Sequence, residues 1–492
     1  MGKDFKETTI EDVRKGLIDK KFTISDIVDY YLDRINRFDR NGPKINSIVN
    51  INPLAIEEAE RIDRFMEEKG KLCGPLHGIP VSVKDQVETE GIKTTFGSIA
   101  FSDYSPLKDA TIINKMKNSG AIILAKTNLP DFATAWNGIS SVLGETKNPY
   151  KLERDSGGSS SGTAAAVASN FTMVGVGEDT GGSIRVPSSF NNVYGIRVTA
   201  GLISRNGTSP LVGLQDTTGP IARNVKDLAT LLDSMVGFDP SDEYSAINIQ
   251  YPGKETFSSN LTMDSLNGKR IGIIREAFGS DSDSEPVNRV TEKALASLER
   301  AGAELVDSVK IKDLASLTEK SALYLLQSRH DIDKFLSERK TEEGIFTIER
   351  LVKEGKFCKH LDLFKGIADG PKDPTGAPDY FERLNSQDVF RRHVLYAMSE
   401  NKLDALAFPD VKVLPPTWEE VKKGKWTVLT FPTNTLIASQ TILPAISMPA
   451  GFTNDGIPVG VELLGKQYSE KALIDFAYAY EGIAQTRRAT EF

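Results

Sequence analysis

Cysteine is scarce in this chain of 492 residues: there are two, Cys73 and Cys358, and no CxxC pair. Two thiols do not make a disulfide framework, so a reducing compartment is expected. Histidine is almost as rare, with four, at positions 77, 330, 360 and 393. No HxH, HExxH or paired Cys/His set occurs, and neither a metal nor a cofactor is expected. Apolar runs are short, and none approaches the roughly 18 residues that span a bilayer. The opening Met1-Gly2-Lys3-Asp4-Phe5-Lys6 lacks an apolar signal core and, with Lys6, misses the myristoylation pattern. No membrane anchor and a cytoplasmic location are therefore expected. A basic excess is also missing: 60 Lys and Arg against 68 Asp and Glu give a net charge of -8. Such a surface offers no electrostatic footprint for nucleic acid.

What is present is ordinary globular material, 39% hydrophobic and 26% charged, enough for a large core. Apolar periodicity predicts helices over 9–20, 25–39 (with Ser25 as N-cap), 54–69, 111–118, 159–170, 225–237, 286–301 and 469–485. Buried strands are expected at 79–85, 121–126, 171–177, 270–275, 403–408, 445–448 and 458–464. Strands alternating with helices predict an α/β fold on a largely buried sheet. The block 313–400, mostly helical and polar, reads as an insertion on that core, broken at the Gly/Pro/Asp-rich 370–376.

The chemistry concentrates around Asp155-Ser156-Gly157-Gly158-Ser159-Ser160-Ser161-Gly162. A flexible linker would not lead directly into a helix and a buried strand. A phosphate loop needs a lysine after its glycines, and none follows. Gly158-Ser159-Ser160-Ser161-Gly162 matches GxSxG, the nucleophile elbow, with Ser160 as nucleophile. That reading needs an apolar strand before it, and Pro149–Arg154 is a poor one. It also needs a histidine, and the three later ones lie in charged segments such as Ser328-Arg329-His330-Asp331.

A further reading joins this turn to a second polar cluster, Gly177-Glu178-Asp179-Thr180-Gly181-Gly182-Ser183-Ile184-Arg185, and to Lys84 at the end of Ile79-Pro80-Val81-Ser82-Val83-Lys84-Asp85. A serine attacks at neutral pH only when a base takes its proton. Without a usable histidine, a lysine serves if burial keeps it neutral.

These linked blocks resemble the amidase signature family of serine hydrolases. So do Lys126–Pro130, Thr146–Pro149, Tyr194–Arg197, Asp216–Pro220 and Leu443–Phe452, and the likeness spans about 60–240 and 430–490. The resemblance implies one α/β domain over 1–492, with a mixed central sheet covered by helices on both faces. Its parts would be N-terminal helices 1–60, a signature core of about 60–240, a helical, substrate-facing insertion of about 313–400 and a return at about 401–492. It further implies Ser183 as nucleophile, Ser159 as bridging serine after a cis peptide at Gly158, and Lys84 as general base. The backbone N–H groups of Thr180, Gly181, Gly182 and Ser183 would form the oxyanion hole, and Ala133 would line the acyl pocket. Asp179 and Arg185 are expected to hold the turn as an ion pair, and Ser160 and Ser161 to bond at the helix N-terminus. Trp136, Trp418 and Trp426 are candidates for either pocket or core. Ser161 and Glu178 depart from the family pattern, which has glycine and commonly threonine there.

The expected activity is hydrolysis of a small-molecule amide, with esters, anilides or carbamates as side substrates, by a monomer or homodimer. A glutamine-amidotransferase A-type subunit, passing ammonia to a partner protein, is the alternative. An esterase of the elbow type and a non-catalytic binding protein on the same fold remain further rivals.

Overall fold

In the computed structural model, which describes residues 3–251 and 256–492, the backbone is organised by one eleven-stranded mixed sheet. Numbered along the chain, its strands are β1 (Ile48–Ile51), β2 (Pro80–Lys84), β3 (Ile122–Thr127), β4 (Val174–Asp179), β5 (Tyr194–Arg197) and β6 (Thr217–Ala222). They are followed by β7 (Arg270–Ile273), β8 (Glu304–Val306), β9 (Ala405–Pro409), β10 (Ala445–Phe452) and β11 (Pro458–Leu464). The spatial order is β1-β3-β2-β4-β6-β5-β10-β11-β9-β7-β8. Parallel pairing joins β2 to β3 and to β4, and β7 to β8 and to β9. The remaining pairs are antiparallel. The fold class expected from the sequence is the one observed.

β2, β3 and β4 are buried along their whole length, as befits strands with helices packed against them. Helices Ser161–Ala168 and Arg185–Phe190 pack together on the sheet, while Val225–Asp233, Glu285–Arg300 and Glu470–Ala484 form another group. Ser161–Ala168 is buried on every side and has no amphipathic stripe to offer solvent. It lies close to its neighbours because its residues are small: a Cβ on Gly162 would sit 2.3 Å from the Asn128 nitrogen and the Ser47 carbonyl oxygen. Thr163 and Thr127 join their hydroxyls at 2.6 Å. This tight seat fixes the Ser/Gly turn above the end of β2.

The block 313–400 is helical, with Leu314–Lys320, Tyr324–Leu336, Ile348–Lys353, Asp362–Ala368 and Tyr380–Glu400. Tyr324–Leu336, Ile348–Lys353 and Asp362–Ala368 meet a core separate from that of the sheet, built around Phe96, Phe101, Phe132 and Trp136, whereas Leu317 and Phe390, Val394 and Met398 of the last helix pack on Leu406 and Phe408 of β9. The rings of Phe96 and Phe132 stack in the separate core at 5.9 Å between centroids.

Two local expectations change. The second helix, Ile24–Arg34, is capped by Thr23, whose hydroxyl accepts the Asp26 N–H at 3.1 Å while Asp26 accepts the Thr23 N–H at 2.8 Å. Ser25 instead donates to Asp63 at 2.7 Å, so reciprocal capping two residues upstream displaces it. The polar segment Lys151–Asp155 is a strand after all, paired with Lys147–Asn148 in a two-stranded sheet of its own. Standing outside the central sheet, it is not the strand that an elbow requires.

Candidate active site

Lys84 ends β2 and is fully buried, carried inward by a strand whose Val81 and Val83 belong to the core. Its Nζ lies 2.8 Å from Ser159 Oγ, 3.0 Å from the Glu178 carbonyl oxygen and 3.2 Å from Glu178 Oε2. Burial pushes the amine below its ordinary value, with the Glu178 carboxylate opposing. The same burial pushes Glu178 up to about 7, with Lys84 opposing.

Ser159 stands on the turn before the buried helix. The Gly158–Ser159 peptide is cis, and Gly157 has φ +73°. A Cβ on Gly158 would lie 2.5 Å from the Asn137 carbonyl oxygen, so only glycine fits that approach. Ser183 lies beyond β4, across the turn Thr180-Gly181-Gly182. The Ser160 N–H donates to the Ser183 carbonyl at 3.0 Å, which sets the two serine turns side by side. No hydrogen bond among the described residues joins the Ser159 and Ser183 hydroxyls. Ser183 lines a small, narrow cavity with Ala133, Trp136, Gly181, Leu211 and Tyr324. Ala133 thus stands in the same cavity as Ser183, with φ +61°.

Asp179 organises the turn. It accepts the Gly182 N–H at 2.9 Å and the Ile184 N–H at 3.1 Å. Arg185 reaches Asp179 at 3.1 Å and Glu462 at 2.6 Å, all three fully buried. Burial alone would raise Asp179, but the Arg185 and Arg197 guanidiniums outweigh it and hold the carboxyl well below the carboxylate range. One expected oxyanion donor is therefore occupied: the Gly182 N–H points at Asp179, which leaves those of Thr180, Gly181 and Ser183.

Ser160 and Ser161 do not cap their helix. Ser160 Oγ donates to the Glu178 carbonyl and accepts its N–H, both at 3.2 Å, and Ser161 Oγ donates to the Asn128 carbonyl at 3.1 Å. They tie the turn to β4 and to the loop after β3. None of the histidines serves a nucleophile at Ser160. His330 and His393 contact backbone carbonyls of Lys372 and Lys312 at 2.9 Å, and His77 accepts the Cys73 N–H at 3.0 Å. His360 is exposed at an outer cleft that adjoins the Ser183 cavity through Trp136 and Val428. Of the other tryptophans, Trp426 lines that cleft and Trp418 packs into the second core.

Two participants carry no sequence signal of their own. Tyr324, in the insertion, is buried in the Ser183 cavity with its hydroxyl unpartnered, and burial holds the phenol well above its ordinary value. Thr435 donates to the Gly181 carbonyl at 2.8 Å. Tyr324 belongs to the insertion expected to face substrate, but no motif singles out either residue.

The family described as Amidase matches residues 26–474. The chain belongs to the amidase family. Among amidase-family relatives, the A-type subunit of the glutamyl-tRNA(Gln) amidotransferase from Alkaliphilus metalliredigens is 33% identical over 490 residues, 96% of each chain. The native peptide amidase of Stenotrophomonas maltophilia superposes with a TM-score of 0.86 at 30% identity, covering 99% of both chains. The corresponding glutamyl-tRNA(Gln) amidotransferase chain from Thermotoga maritima gives a TM-score of 0.78 at 27% identity, covering 99% of this chain and 98% of that one. Membership in this family makes the protein an enzyme of amide C–N bonds. Among the described residues, no helix is long and apolar enough to cross a membrane.

Proposed function

We propose that this amidase hydrolyses a carboxylic amide through an acyl-enzyme on Ser183. Ser183 gives its proton to Ser159, Ser159 gives its own to Lys84, and the Ser183 oxygen bonds to the amide carbon. The oxyanion is met by the N–H groups of Thr180, Gly181 and Ser183, each worth about 3 kcal/mol where such a donor has been removed elsewhere. The lysine's proton returns through Ser159 to the leaving nitrogen, the C–N bond breaks, and an amine departs. Water then adds to the ester by the same relay and releases the acid. Esters, anilides and carbamates share that acyl-enzyme and are the natural side substrates.

The observation that carries this reading is the 2.8 Å contact between the buried Lys84 amine and Ser159. It supports Lys84 as the base, since desolvation disfavours the charged amine and the turn that carries Ser159 is hydrogen-bonded to the one that carries Ser183. The test is a panel of amides, esters and carbamates run with the full chain, Ser183→Ala and Lys84→Ala. Mass spectrometry would locate a fluorophosphonate adduct. Turnover lost in both variants and an adduct on Ser183 support the reading; undiminished amide turnover in Lys84→Ala sinks it.

A second reading has its own observation, the 33% identity to one chain of an amidotransferase across 96% of both sequences. Under it, the ammonia released from glutamine passes to a partner protein. The closer superposition on peptide amidase, 0.86 against 0.78, favours an enzyme that acts alone. Amide hydrolysis by the purified single chain, without a stable heteromeric complex, separates the two.

A further inference from the structure

Glu178 is the acidic residue that departs from the family pattern, and it points into the relay. It lies within β4, 1% exposed, with both carboxyl oxygens engaged. The hydrogens available around it decide what it does.

Lys84 Nζ has three partners: Ser159 Oγ, the Glu178 carbonyl oxygen and Glu178 Oε2. A carbonyl oxygen only accepts, and so does Oε2 unless it bears a proton itself. A neutral amine has two hydrogens and one lone pair. With both hydrogens given to Glu178, the lone pair is left facing the Ser159 hydroxyl, which is the arrangement a base requires. An ammonium would have to donate to Ser159 as well, and its lone pair would be gone.

A second count fixes the carboxyl. Thr180 Oγ1 lies 3.0 Å from Glu178 Oε1 and 2.6 Å from Asp216 Oδ1. One hydroxyl hydrogen serves one of these oxygens, so the other contact needs a hydrogen on a carboxyl. Asp216 already accepts two backbone N–H groups, from Leu211 at 2.9 Å on Oδ2 and from Val212 at 3.2 Å on Oδ1, so both of its oxygens already act as acceptors. Glu178 accepts no backbone N–H among the described residues. The missing hydrogen therefore sits on Glu178 Oε1, donating to Thr180, which in turn donates to Asp216.

The surrounding charges agree. Lys84 on β2 favours an ionised Glu178, whereas Asp179 on β4 and Asp216 beside β6 oppose it. Arg197 on β5 faces Glu178 but is bound to Asp179, as is Arg185 of the following helix. Tyr324 faces it from the insertion as a neutral phenol.

We infer that Glu178 is a positioning residue acting through Lys84: its carboxyl binds and releases a proton on Oε1, beside Thr180, while Oε2 accepts a hydrogen of the amine at 3.2 Å. While the carboxyl holds that proton, the lysine rests as a neutral amine aimed at Ser159. When the carboxyl ionises, its charge strengthens the amine as a base and its oxygen accepts a hydrogen from the ammonium formed in acylation. With the carboxyl ionised the step balances: the Ser183 O–H bond breaks as its oxygen bonds to the acyl carbon and the carbonyl π pair moves to the oxyanion, an O–H bond forms on Ser159 as its own proton moves to Lys84, and the ammonium so formed donates an N–H to Glu178 Oε2. The route reverses when the leaving nitrogen is protonated.

This inference rests on the Ser183–Ser159–Lys84 reading, and its test keeps the two apart. The second-order rate of fluorophosphonate labelling is measured from about pH 5 to about pH 10 on the full chain and on Glu178→Gln and Glu178→Thr, with adducts mapped by mass spectrometry. Glu178→Gln keeps the shape of the side chain, and Glu178→Thr guards against a misfolded amide variant. The wild-type rate is expected to climb through a limb near the value of about 7 at which Glu178 ionises. Both variants lose that limb, and their rates at the alkaline end fall about tenfold. Labelling of Ser183 with the wild-type limb retained in both variants, or scaled equally at every pH, overturns the role of Glu178 alone. Absence of any adduct on wild-type Ser183 overturns the relay and this inference with it.

Discussion

Arg185 grips Asp179 with two parallel bonds, Nε to Oδ2 and Nη2 to Oδ1, each 3.1 Å long. Arg197 adds a third contact to Oδ1, also at 3.1 Å. Around this charge the turn that carries Ser183 folds back, its Gly182 and Ile184 N–H groups held by the same carboxylate. The position of Ser183, the proposed nucleophile, is thus a consequence of an ion network lying behind it.

Asp179→Asn leaves two guanidiniums buried without their main counter-charge. Breaking one partner of such a network costs about 3–5 kcal/mol, so the variant is expected to lose stability on that scale in denaturant unfolding. Because the turn loses its anchor too, labelling of Ser183 falls at temperatures where the variant is still folded. A variant as stable as wild type would show that the network is not what holds the turn.

Lys84→Met removes the amine and keeps most of its volume. Loss of a general base typically costs 10²–10⁴-fold, and amide turnover is expected to fall within about that range while the unfolding midpoint barely moves. The insensitivity of stability follows because no buried positive charge remains to be satisfied, and Glu178 stays protonated. A variant that keeps one tenth or more of wild-type turnover would rule out Lys84 as the base.

Gly181 touches the insertion. A Cβ there would lie 2.0 Å from the Tyr324 hydroxyl oxygen, which is unpartnered and buried. Gly181→Ala therefore pushes the Ser183 turn and Tyr324 apart. Overpacking of this kind costs about 1–3 kcal/mol, and displacing the N–H proposed as an oxyanion donor is expected to lower kcat by about 10²–10³-fold. Tyr324→Phe removes the clashing oxygen, so the double variant is expected to recover part of that loss. No recovery would place the damage in the backbone of the turn alone.

The sheet is legible where strands are apolar runs, as in β2, β3 and β11, and illegible where tertiary partners override composition. β6 contains Gly219 and Pro220 and looks like a turn, yet Pro220 pairs with Val176 in mid-sheet. The ladder to β5 begins only at Ile221, so the proline forfeits no bond on that side. Composition ends β4 at Gly177, because Glu178 and Asp179 are poor strand formers; the strand continues to Asp179 because Lys84 and the two arginines satisfy those carboxyls. The linked motifs, through their resemblance to the amidase signature family, single out Lys84, Ser159, Ser183 and Asp179 as site candidates. Tyr324 cannot be found that way: it lies in a segment without a motif, and only packing of the insertion brings it to the cavity.

Asp155 supplies a pH test of stability away from the relay. It is fully buried, its Oδ1 accepts the Gly138 N–H at 2.8 Å, and its Oδ2 has no partner. Burial pushes the carboxyl up to about 7, whereas an unfolded aspartate titrates near about 4. Between these values the folded chain holds a proton that the unfolded chain has released, so stability falls as pH rises through that window. The loss attributable to Asp155 amounts to about 2–4 kcal/mol by the upper end. Asp155→Asn cannot titrate and still offers an oxygen to Gly138. Asp131 and Glu481, also pushed up to about 7, leave the variant with some slope of its own, so the informative quantity is the difference between the two proteins. In urea unfolding across about pH 4 to 8, that difference is expected to grow with pH in favour of Asp155→Asn and to level off above about 7. A difference that does not change with pH would mean that Asp155 is already ionised in the folded protein and has found a partner for its second oxygen.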